Sequence, residues 1–421
     1  MEFKKKGLTY ASLLAVVVMS GMMSGCGSDN ITPTTPTTTF MYTSDAHYGI
    51  KRAAFSGLSS AQQVNGAMIA EMNRLQSAKV ALPSDSGINA GQALTAVDFV
   101  VETGDAVNRV DSNVYPTAKA PAKDVWPLFT KDYFDTLNLK NGTGAKAPLY
   151  MTPGNHDVSN AIGYYKAPIN SIDATSYVEI YNLMNPASTI STTSFTSVAT
   201  AATTYASKRL VTSRDVNGVH FVFVGMWPDS VSRLLIDANL ATVAATTPVI
   251  IFTHDQPTSE AKHFTNPNAT TLPVTPINAT NKFENLLSDI YADTQGTGNT
   301  PGTSTDIEQN ALVTWLKTHK NIVAYFHGND NKNEFYTYPD PVTKPLGAEN
   351  DIKLPVFRVD SPMKGSITGN DATDGKGDSS KLSFQVISID SAAKNMTVRE
   401  YLWNTKSWGT SKTVSLAPRT L

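Results

Sequence analysis

The segment Thr152-Pro153-Gly154-Asn155-His156-Asp157 decides the fold, because it ends an apolar run and then presents three polar side chains in succession. Residues 148–151, which precede it, are Pro-Leu-Tyr-Met and predict a buried strand that stops at a tight turn. Asn155 offers a carbonyl oxygen, His156 an imidazole that titrates near neutral pH, and Asp157 a carboxylate that can orient either one. Taken alone, the segment also fits a capped connection between a strand and a helix.

The same arrangement recurs at other predicted strand ends. Apolar segments also lead into Asp45 with His47, into Asp105, into His254, and into Asn329 with Asn331. Polar residues that follow parallel strands collect at the carboxyl edge of an α/β sheet, where such folds build their sites. The repetition therefore predicts one assembled site. Asp45 and His47 are two residues apart, so both would leave the same face if the extended backbone continues through them.

Composition limits the kinds of function that this chain can have. The chain has 421 residues, 41% of them hydrophobic, with 34 Lys and Arg against 36 Asp and Glu. A charge balance this even gives no sign of a nucleic-acid-binding surface. Cys26 is the single cysteine, so internal disulfides and thiolate metal clusters are excluded, and any metal must be held by His, Asp, Glu or Asn. The oligomeric state is not readable from the sequence.

The N-terminus predicts a lipoprotein. Residues 1–25 begin with three lysines and continue as an apolar stretch that closes on small residues, as a secretory signal does. Residues 23–26, Met-Ser-Gly-Cys, resemble the lipobox of bacterial lipoproteins, which implies cleavage before Cys26 and acylation of its thiol. Residues 26–38 are rich in Thr and Pro and predict an extended tether. We therefore expect a lipid-anchored protein of the bacterial cell envelope, at the outer membrane or cell surface, with an uncleaved anchor helix as the alternative.

Residues 39–421 are expected to form one domain, and several local sequence signals predict elements within it. Ser59 or Ser60 caps a helix that runs to about Ala78, residues 124–139 suit an amphipathic helix, and Asp215-Val216-Asn217-Gly218 is a hairpin signal. Residues 258–305, rich in Asn, Thr, Pro and Gly, form an insertion that is a candidate lid or specificity loop. The tail from residue 354 alternates apolar and polar residues, which favours an antiparallel edge to a sheet.

These strand ends resemble the motifs of the calcineurin-like metallophosphoesterases. The segment SDAH (44–47) matches the family's D-x-H, TGDAVN (103–108) its G-D-x-x-[DN], GNHD (154–157) its G-N-H-[DE], and TH (253–254) its lone histidine. FHGNDN (326–331) stands in the place of G-H-x-H. The resemblance runs from residue 40 to 331. It implies a four-layer αββα sandwich, in which two mixed sheets are flanked by helices and the site lies at one edge.

The resemblance also implies two divalent metal ions and their ligands. Asp45, His47 and Asp105 would hold the first ion, and Asp105 would bridge to the second, which Asn155 and His254 also hold. A carboxylate has two oxygens to share between cations about 3.5–4 Å apart, whereas an imidazole nitrogen serves only one. A hydroxide between the two ions would then attack the phosphorus of a phosphate ester.

Further residues acquire catalytic or substrate roles from the same resemblance. His156 would assist the leaving group by donating a proton or a hydrogen bond to its oxygen. Asn108, where some relatives have an aspartate, would orient His156, and Asp157 is the carboxylate beside it. Arg109 falls where phosphatase relatives hold the phosphate, although a solvated surface arginine also fits that position.

The last motif departs from the family. Asn329 and Asn331 stand where histidines are expected, and an asparagine ligates through a neutral carbonyl oxygen that binds more weakly. This oxygen-rich ligand set favours Mn²⁺ or Mg²⁺, with Fe and Zn²⁺ as further options.

We therefore expect a hydrolase of phosphate monoesters or diesters. The alternative is a degenerate, non-catalytic member of the fold that lost tight metal binding at the two asparagines and serves as a surface binding protein. The Thr-rich stretches alone would also suit a structural or adhesive surface protein.

Overall fold

Two six-stranded mixed sheets, built from the described residues, form the centre of the protein. The structure is a computed structural model that describes residues 37–108, 122–158, 174–191, 208–260, 263–264, 286–289, 307–338, 352–364 and 378–421. These residues fall within one compact unit. The predicted signal sequence, Cys26, the tether up to residue 36, Arg109 and most of the 258–305 insertion lie outside the described residues.

The first sheet has the order β14-β13-β12-β1-β4-β5. Its strands are β1 Thr38–Thr43, β4 Phe99–Glu102, β5 Leu149–Met151, β12 Ser383–Asp390, β13 Asn395–Leu402 and β14 Ser407–Ser415. The pairs β1/β4 and β4/β5 are parallel, whereas β12, β13 and β14 add an antiparallel edge, as predicted for the tail. Every residue of β1 and β4 is buried, which suits strands that are covered on both faces.

The second sheet has the order β10-β11-β9-β8-β7-β6. Its strands are β6 Val211–Val216, β7 Val219–Val224, β8 Val249–Phe252, β9 Ile322–His327, β10 Glu334–Tyr338 and β11 Leu354–Arg358. The four strands β7, β8, β9 and β11 run parallel to one another. The predicted hairpin joins β6 to β7 through Asn217 and Gly218, both with positive φ, as a two-residue hairpin turn requires. A small hairpin outside both sheets pairs β2 Lys51–Phe55 with β3 Leu58–Ser60.

The two sheets pack face to face through aromatic side chains. Phe40 of β1 stacks on Phe99 of β4, with ring centroids 4.7 Å apart. The edge of Phe40 also meets Phe221, Phe252 and Phe326 of the second sheet. These rings belong to the larger buried apolar cluster, so one continuous core holds the two sheets together.

Helices cover the outer faces of the sheets. Their bounds are α1 Ala61–Ser77, α2 Ala122–Thr130, α3 Asn155–Val158, α4 Thr175–Met184, α5 Ser230–Leu240 and α6 Ile307–Thr318. Helix α1 starts at the predicted Ser60 cap, which forms a full capping box with Gln63. Leu312 and Leu316 of α6 lie in the second buried apolar cluster with Ile236 of α5. The expected α/β architecture of two mixed sheets with helices is confirmed.

The helix predicted over residues 124–139 is only partly right. Helix α2 ends at Thr130, and the chain continues as a π-helical turn, Lys131–Thr136, in which the Leu137 N–H donates to the Asp132 carbonyl. The wider turn leaves Asp132 positioned to accept a 2.6 Å hydrogen bond from the Tyr48 hydroxyl. Periodicity alone does not reveal such a contact.

Within the described residues, no helix combines the length and apolar character needed to span a bilayer.

Candidate metal centre

The carboxyl ends of parallel strands from both sheets meet at one edge of the protein. The loops after β1 and β4 remain paired beyond the strands, since the Asp45 N–H donates to the Gly104 carbonyl and the His47 N–H to the Asp105 carbonyl. The two sheets are also joined here, because the His254 Nδ1 lies 2.8 Å from the Thr103 carbonyl oxygen. The strand ends singled out in the sequence therefore come together.

Asp105 lies at the centre of this edge and is only 2% exposed. Its Oδ2 is 3.7 Å from Nε2 of His47 and 3.9 Å from Nε2 of His156. Its Oδ1 is 3.5 Å from Nε2 of His254 and accepts a 2.8 Å hydrogen bond from the backbone N–H of His156. One carboxylate thus faces three imidazoles, and each of its two oxygens faces a different part of the cluster.

The ligand-bearing atoms form two overlapping groups. One atom from each of His47, Asp105 and His156 lies within 4.8 Å of the others, and the same holds for Asp45, Asp105 and His254. Asp105 is common to both groups, as a bridging ligand must be. Asp45 and His47 are completely buried.

The backbone at Asp45 and His47 differs from the extended conformation on which their predicted shared face depends. Both have positive φ, 56° and 44°, so the extended backbone does not continue through them. Asp105 has a positive φ as well, at 55°. Non-glycine residues adopt this left-handed conformation at a cost of about 1–3 kcal/mol each, and such strain is concentrated at functional sites. The surrounding hydrogen bonds hold the chain in this conformation.

The side chains of Asn155 and His254 face each other beside Asp105. The Asn155 Oδ1 lies 3.2 Å from the His254 Nε2. The Nδ1 of His254 lies beside the Thr103 carbonyl, so a neutral ring would keep its proton there and present a lone pair at Nε2. Two acceptors that face each other need a proton or a cation between them. A divalent ion fits between them, because an amide oxygen and an imidazole nitrogen are both donor groups that such ions bind.

The pKa shifts of the buried residues reflect the same need for positive charge between Asp105 and His254. Burial alone would lower the pKa of His254, but the neighbouring Asp105 raises it well above the usual value. Burial likewise opposes the charge on Asp105, yet His254 and His156 hold its pKa well below the usual range. A proton on His254 therefore supplies positive charge that a bound cation would supply instead. Burial, and then the charge of Lys364, lower the pKa of His47, which leaves its ring in the neutral form that metals bind.

Unsatisfied buried atoms give a further test of whether a cation fits. Among the described residues, Oδ1 of Asp45 and both ring nitrogens of His47 are buried without a hydrogen bond. The Asp45 Oδ1 and the His47 Nε2 are 3.5 Å apart. Buried polar atoms without partners are costly, and a metal ion is one of the few explanations for several of them in one place.

Asp157 and Asn108 lie in the second layer of the site. The Asp157 carboxylate accepts hydrogen bonds from the backbone N–H groups of Gly154, Ala106 and Val107, so it clamps two strand-end loops together. Burial, and next the charge of Asp105, raise the pKa of Asp157 to about 7. Asn108 is buried and its side-chain oxygen makes no hydrogen bond, so its role in orienting His156 stays a prediction.

The two asparagines of the last motif are near the centre, but their amides point in part elsewhere. The backbone N–H of Asn329 donates to Oδ2 of Asp45 over 2.9 Å. Its Nδ2, however, donates to Oδ1 of Asp255 and to Oε1 of Glu260, and each of these hydrogen bonds is 2.9 Å long. The Nδ2 of Asn331 donates to the Asn329 carbonyl, and its Oδ1 is buried without a hydrogen bond from any described residue. Their roles as ligands stay predictions.

Sequence reasoning missed the group that anchors Asn329. The Asp255 Oδ2 accepts hydrogen bonds from the Ser259 hydroxyl and the His263 Nδ1, each over 2.6 Å. Asp255 directly follows His254, which was the only signal available, and no motif connects it with a residue 74 positions away. Arg109, the predicted phosphate-binding residue, lies outside the described residues.

A family model described as "Calcineurin-like phosphoesterase" matches residues 39–357. No curated protein matches the chain.

Several solved structures resemble it at low identity. A dimetal phosphatase from Danio rerio is 9% identical with a TM-score of 0.46, over 90% of this chain and 99% of that one. A purple acid phosphatase from yellow lupin (Lupinus luteus) seeds is 11% identical with a TM-score of 0.42, over 90% of this chain and 54% of that one. A predicted phosphoesterase from Streptococcus pneumoniae is 10% identical with a TM-score of 0.28, over 90% and 98% of the two chains.

Gly154 provides a test of the close approach at the centre. A Cβ at this position would lie 2.3 Å from Oδ1 of Asp105 and 2.7 Å from Cε1 of His254, so Gly154→Ala must displace the cluster. We expect the affinity for Mn²⁺, measured by isothermal titration calorimetry, to fall by about tenfold or more. The matched control is Gly66→Ala in α1, where a Cβ would meet nothing within 4 Å. It should stabilise the protein by about 0.5–1 kcal/mol and leave Mn²⁺ affinity unchanged. Equal Mn²⁺ affinity in both variants would contradict this assignment.

Proposed function

The chain belongs to the calcineurin-like phosphoesterase family, and from that premise we propose that it hydrolyses a phosphate monoester or diester with the help of two divalent metal ions. The observation that carries the proposal is the buried cluster around Asp105, in which one carboxylate is shared between two groups of ligand atoms. A structural cluster would be expected to satisfy its own polar atoms, whereas this one leaves Oδ1 of Asp45 and both ring nitrogens of His47 without a hydrogen bond from any described residue.

In this proposal each cation is held by one side of the cluster. Asp45, His47 and Asp105 hold the first ion, and Asp105, Asn155 and His254 hold the second. Support for the first set comes from the 3.5 Å between Oδ1 of Asp45 and Nε2 of His47 and the 3.7 Å from that nitrogen to Asp105. Support for the second set comes from the 3.5 Å between Asp105 and His254 and from the facing oxygen and nitrogen of Asn155 and His254. The two groups of ligand atoms within 4.8 Å divide the residues differently, with His47 beside His156 and Asp45 beside His254, and Asp105 is common to both divisions. Asn329 and Asn331 would add weaker oxygen ligands. Because oxygen donors dominate, we propose Mn²⁺ or Mg²⁺ ahead of Fe and Zn²⁺.

When bound, two divalent ions acidify a water molecule into a nucleophile and neutralise the charge of the phosphoryl group. The protein contributes by positioning the ligand side chains and the loops that carry them. Asp105 is held ionised by the neighbouring imidazoles, and both Asp105 and Asp45 are desolvated, where the interaction of a carboxylate with a cation is strongest. Asp157 fixes the loops that carry Asp105 and Asn155 by holding their backbone N–H groups.

His156 is the residue that we propose protonates the leaving-group oxygen. It retains a small exposed fraction of 7%, whereas His47 and His254 are fully buried. It therefore borders the solvent side of the cluster, where a substrate must arrive. Its ring packs edge to face against His47, with centroids 5.3 Å apart, and its Nε2 remains 3.9 Å from Asp105. An imidazole at this place suits general acid catalysis near neutral pH.

Two substitutions test the function by separating metal binding from proton transfer. We expect Asp105→Asn to lose both bound Mn²⁺ and hydrolysis of p-nitrophenyl phosphate and bis-p-nitrophenyl phosphate, because the shared carboxylate is gone. His156→Ala should retain metal but lower kcat by about 10²–10⁴-fold. Metal content is measured by mass spectrometry, and rates are measured with Mn²⁺, Mg²⁺ and Zn²⁺. His319→Ala, which lies between the end of α6 and the start of β9, is the control and should behave as wild type. A wild-type protein that hydrolyses neither ester with any of the three metals would contradict the proposal.

We also propose that the protein is anchored to a bacterial envelope membrane through lipid on Cys26. The support is the lipobox-like Met23–Cys26 segment, the preceding charged and apolar stretch, and the position of the single cysteine of the chain. The Thr- and Pro-rich tether that follows would hold the catalytic domain away from the membrane surface.

Replacement of the acylated residue tests the anchor. In a bacterial host that processes lipoproteins, we expect Cys26→Ser to move the protein from the membrane fraction to the soluble fraction, because a serine cannot be acylated as a thiol is. Immunoblots of the separated fractions provide the measurement. Thr35→Ala in the tether is the control and should remain with the membranes. Undiminished membrane retention of Cys26→Ser would rule out this anchor.

A further inference from the structure

The segment that follows β11 reaches the metal centre from the second sheet, although no motif marks it. Because β11 runs parallel to β9, its carboxyl end lies at the same edge as Asn329. The Val359 N–H donates to the His327 carbonyl, so the pairing continues for one residue beyond β11. Residues 360–363 are then buried, which is unusual for a loop and indicates a fixed conformation.

Ser361 attaches this segment to the backbone of a proposed ligand. Its hydroxyl donates to the Asp45 carbonyl oxygen over 2.7 Å. The Oγ of Ser361 in turn accepts hydrogen bonds from the N–H groups of Met363 and Lys364, at 3.2 Å and 2.9 Å. A single hydroxyl group therefore lies between the backbone nitrogen of Lys364 and the carbonyl oxygen of Asp45.

Arg52 fixes the turn from the other side. Its guanidinium is buried and donates a 2.7 Å hydrogen bond to the Pro362 carbonyl. The turn is thus held at Ser361 and at Pro362, so the backbone of Lys364, two residues further on, has a defined position beside the site. Lys364 itself is partly buried.

We propose that Lys364 binds a non-bridging oxygen of the substrate phosphate and favours monoesters over diesters, an inference that rests on the proposed function. A cation beside a site for two divalent ions is repelled by them, so on its own it would weaken metal binding. Its presence is favourable once an anion binds to the same site. The proximity of its charge is consistent with the lowered pKa of His47, on which Lys364 is the largest influence after burial.

The preference for monoesters follows from charge. A monoester carries about two negative charges near neutral pH, since the second pKa of such a phosphate is about 6, whereas a diester carries one. An ammonium group at the phosphate therefore stabilises the monoester more strongly. A lysine can do this as a point charge, without the paired geometry that an arginine supplies.

The test measures phosphate binding directly. Equilibrium dialysis with labelled inorganic phosphate is carried out on the full-length, Mg²⁺-loaded protein and on Lys364→Gln, Lys364→Arg and Lys320→Gln. Lys320 is an exposed lysine just before β9, at the opposite edge of the sheet, and is the matched control. We expect phosphate affinity to fall by about tenfold or more in Lys364→Gln, to be largely retained in Lys364→Arg, and to be unchanged in Lys320→Gln.

Two further measurements distinguish the outcomes. Lys364→Gln should lower kcat/KM for p-nitrophenyl phosphate more than for bis-p-nitrophenyl phosphate, while its Mg²⁺ affinity stays equal or rises. Unchanged phosphate affinity in Lys364→Gln, with an active wild-type enzyme, would overturn the role of Lys364 and leave the proposed function intact. A fall in Mg²⁺ affinity instead would mean that Lys364 supports the fold of the site. A wild-type protein that binds phosphate but hydrolyses neither ester would overturn the proposed function alone.

Discussion

The burial of Asp105 is the constraint on which the rest of this structure depends. A desolvated carboxylate is stable only if positive charge or hydrogen bonds compensate it, and here three imidazoles and a backbone N–H surround it. That arrangement requires loops from both sheets to approach closely. The left-handed backbone at Asp45, His47 and Asp105 and the absence of a side chain at Gly154 are consequences of the same requirement.

The fold supports this centre by separating apolar packing from polar chemistry. Aromatic side chains such as Phe40 and Phe252 pack the two sheets together, and the polar residues of the Asp105 cluster follow the ends of the parallel strands. Backbone hydrogen bonds then carry the pairing into the loops. As a result, ligand atoms from distant parts of the chain, such as those of Asp45 and His254, are fixed by rigid elements, which is what a site with several shared ligands needs.

Much of the fold and of the cluster could be predicted from the sequence, because their signals are local. The Ser60 cap, the Asn217-Gly218 hairpin and the polar residues after each strand depend on a few neighbouring residues. The bonds of the Asn329 amide to Asp255 and Glu260, and the approach of Lys364 to Asp45 through Ser361, depend on distant segments meeting. The π-helical turn after α2 and the left-handed backbone of Asp45 and His47 were missed for a related reason, since tertiary contacts override the regular pattern there.

Anomalous diffraction from crystals grown with Mn²⁺ tests the central claim most directly, because it locates the ions without reference to activity. The account predicts two anomalous peaks about 3.5–4 Å apart on either side of the Asp105 carboxylate. One peak should be in contact with Asp45 and His47, and the other with Asn155 and His254. Crystals that contain Mn²⁺ elsewhere but none at Asp105, with its close contact to His254 unchanged, would contradict it.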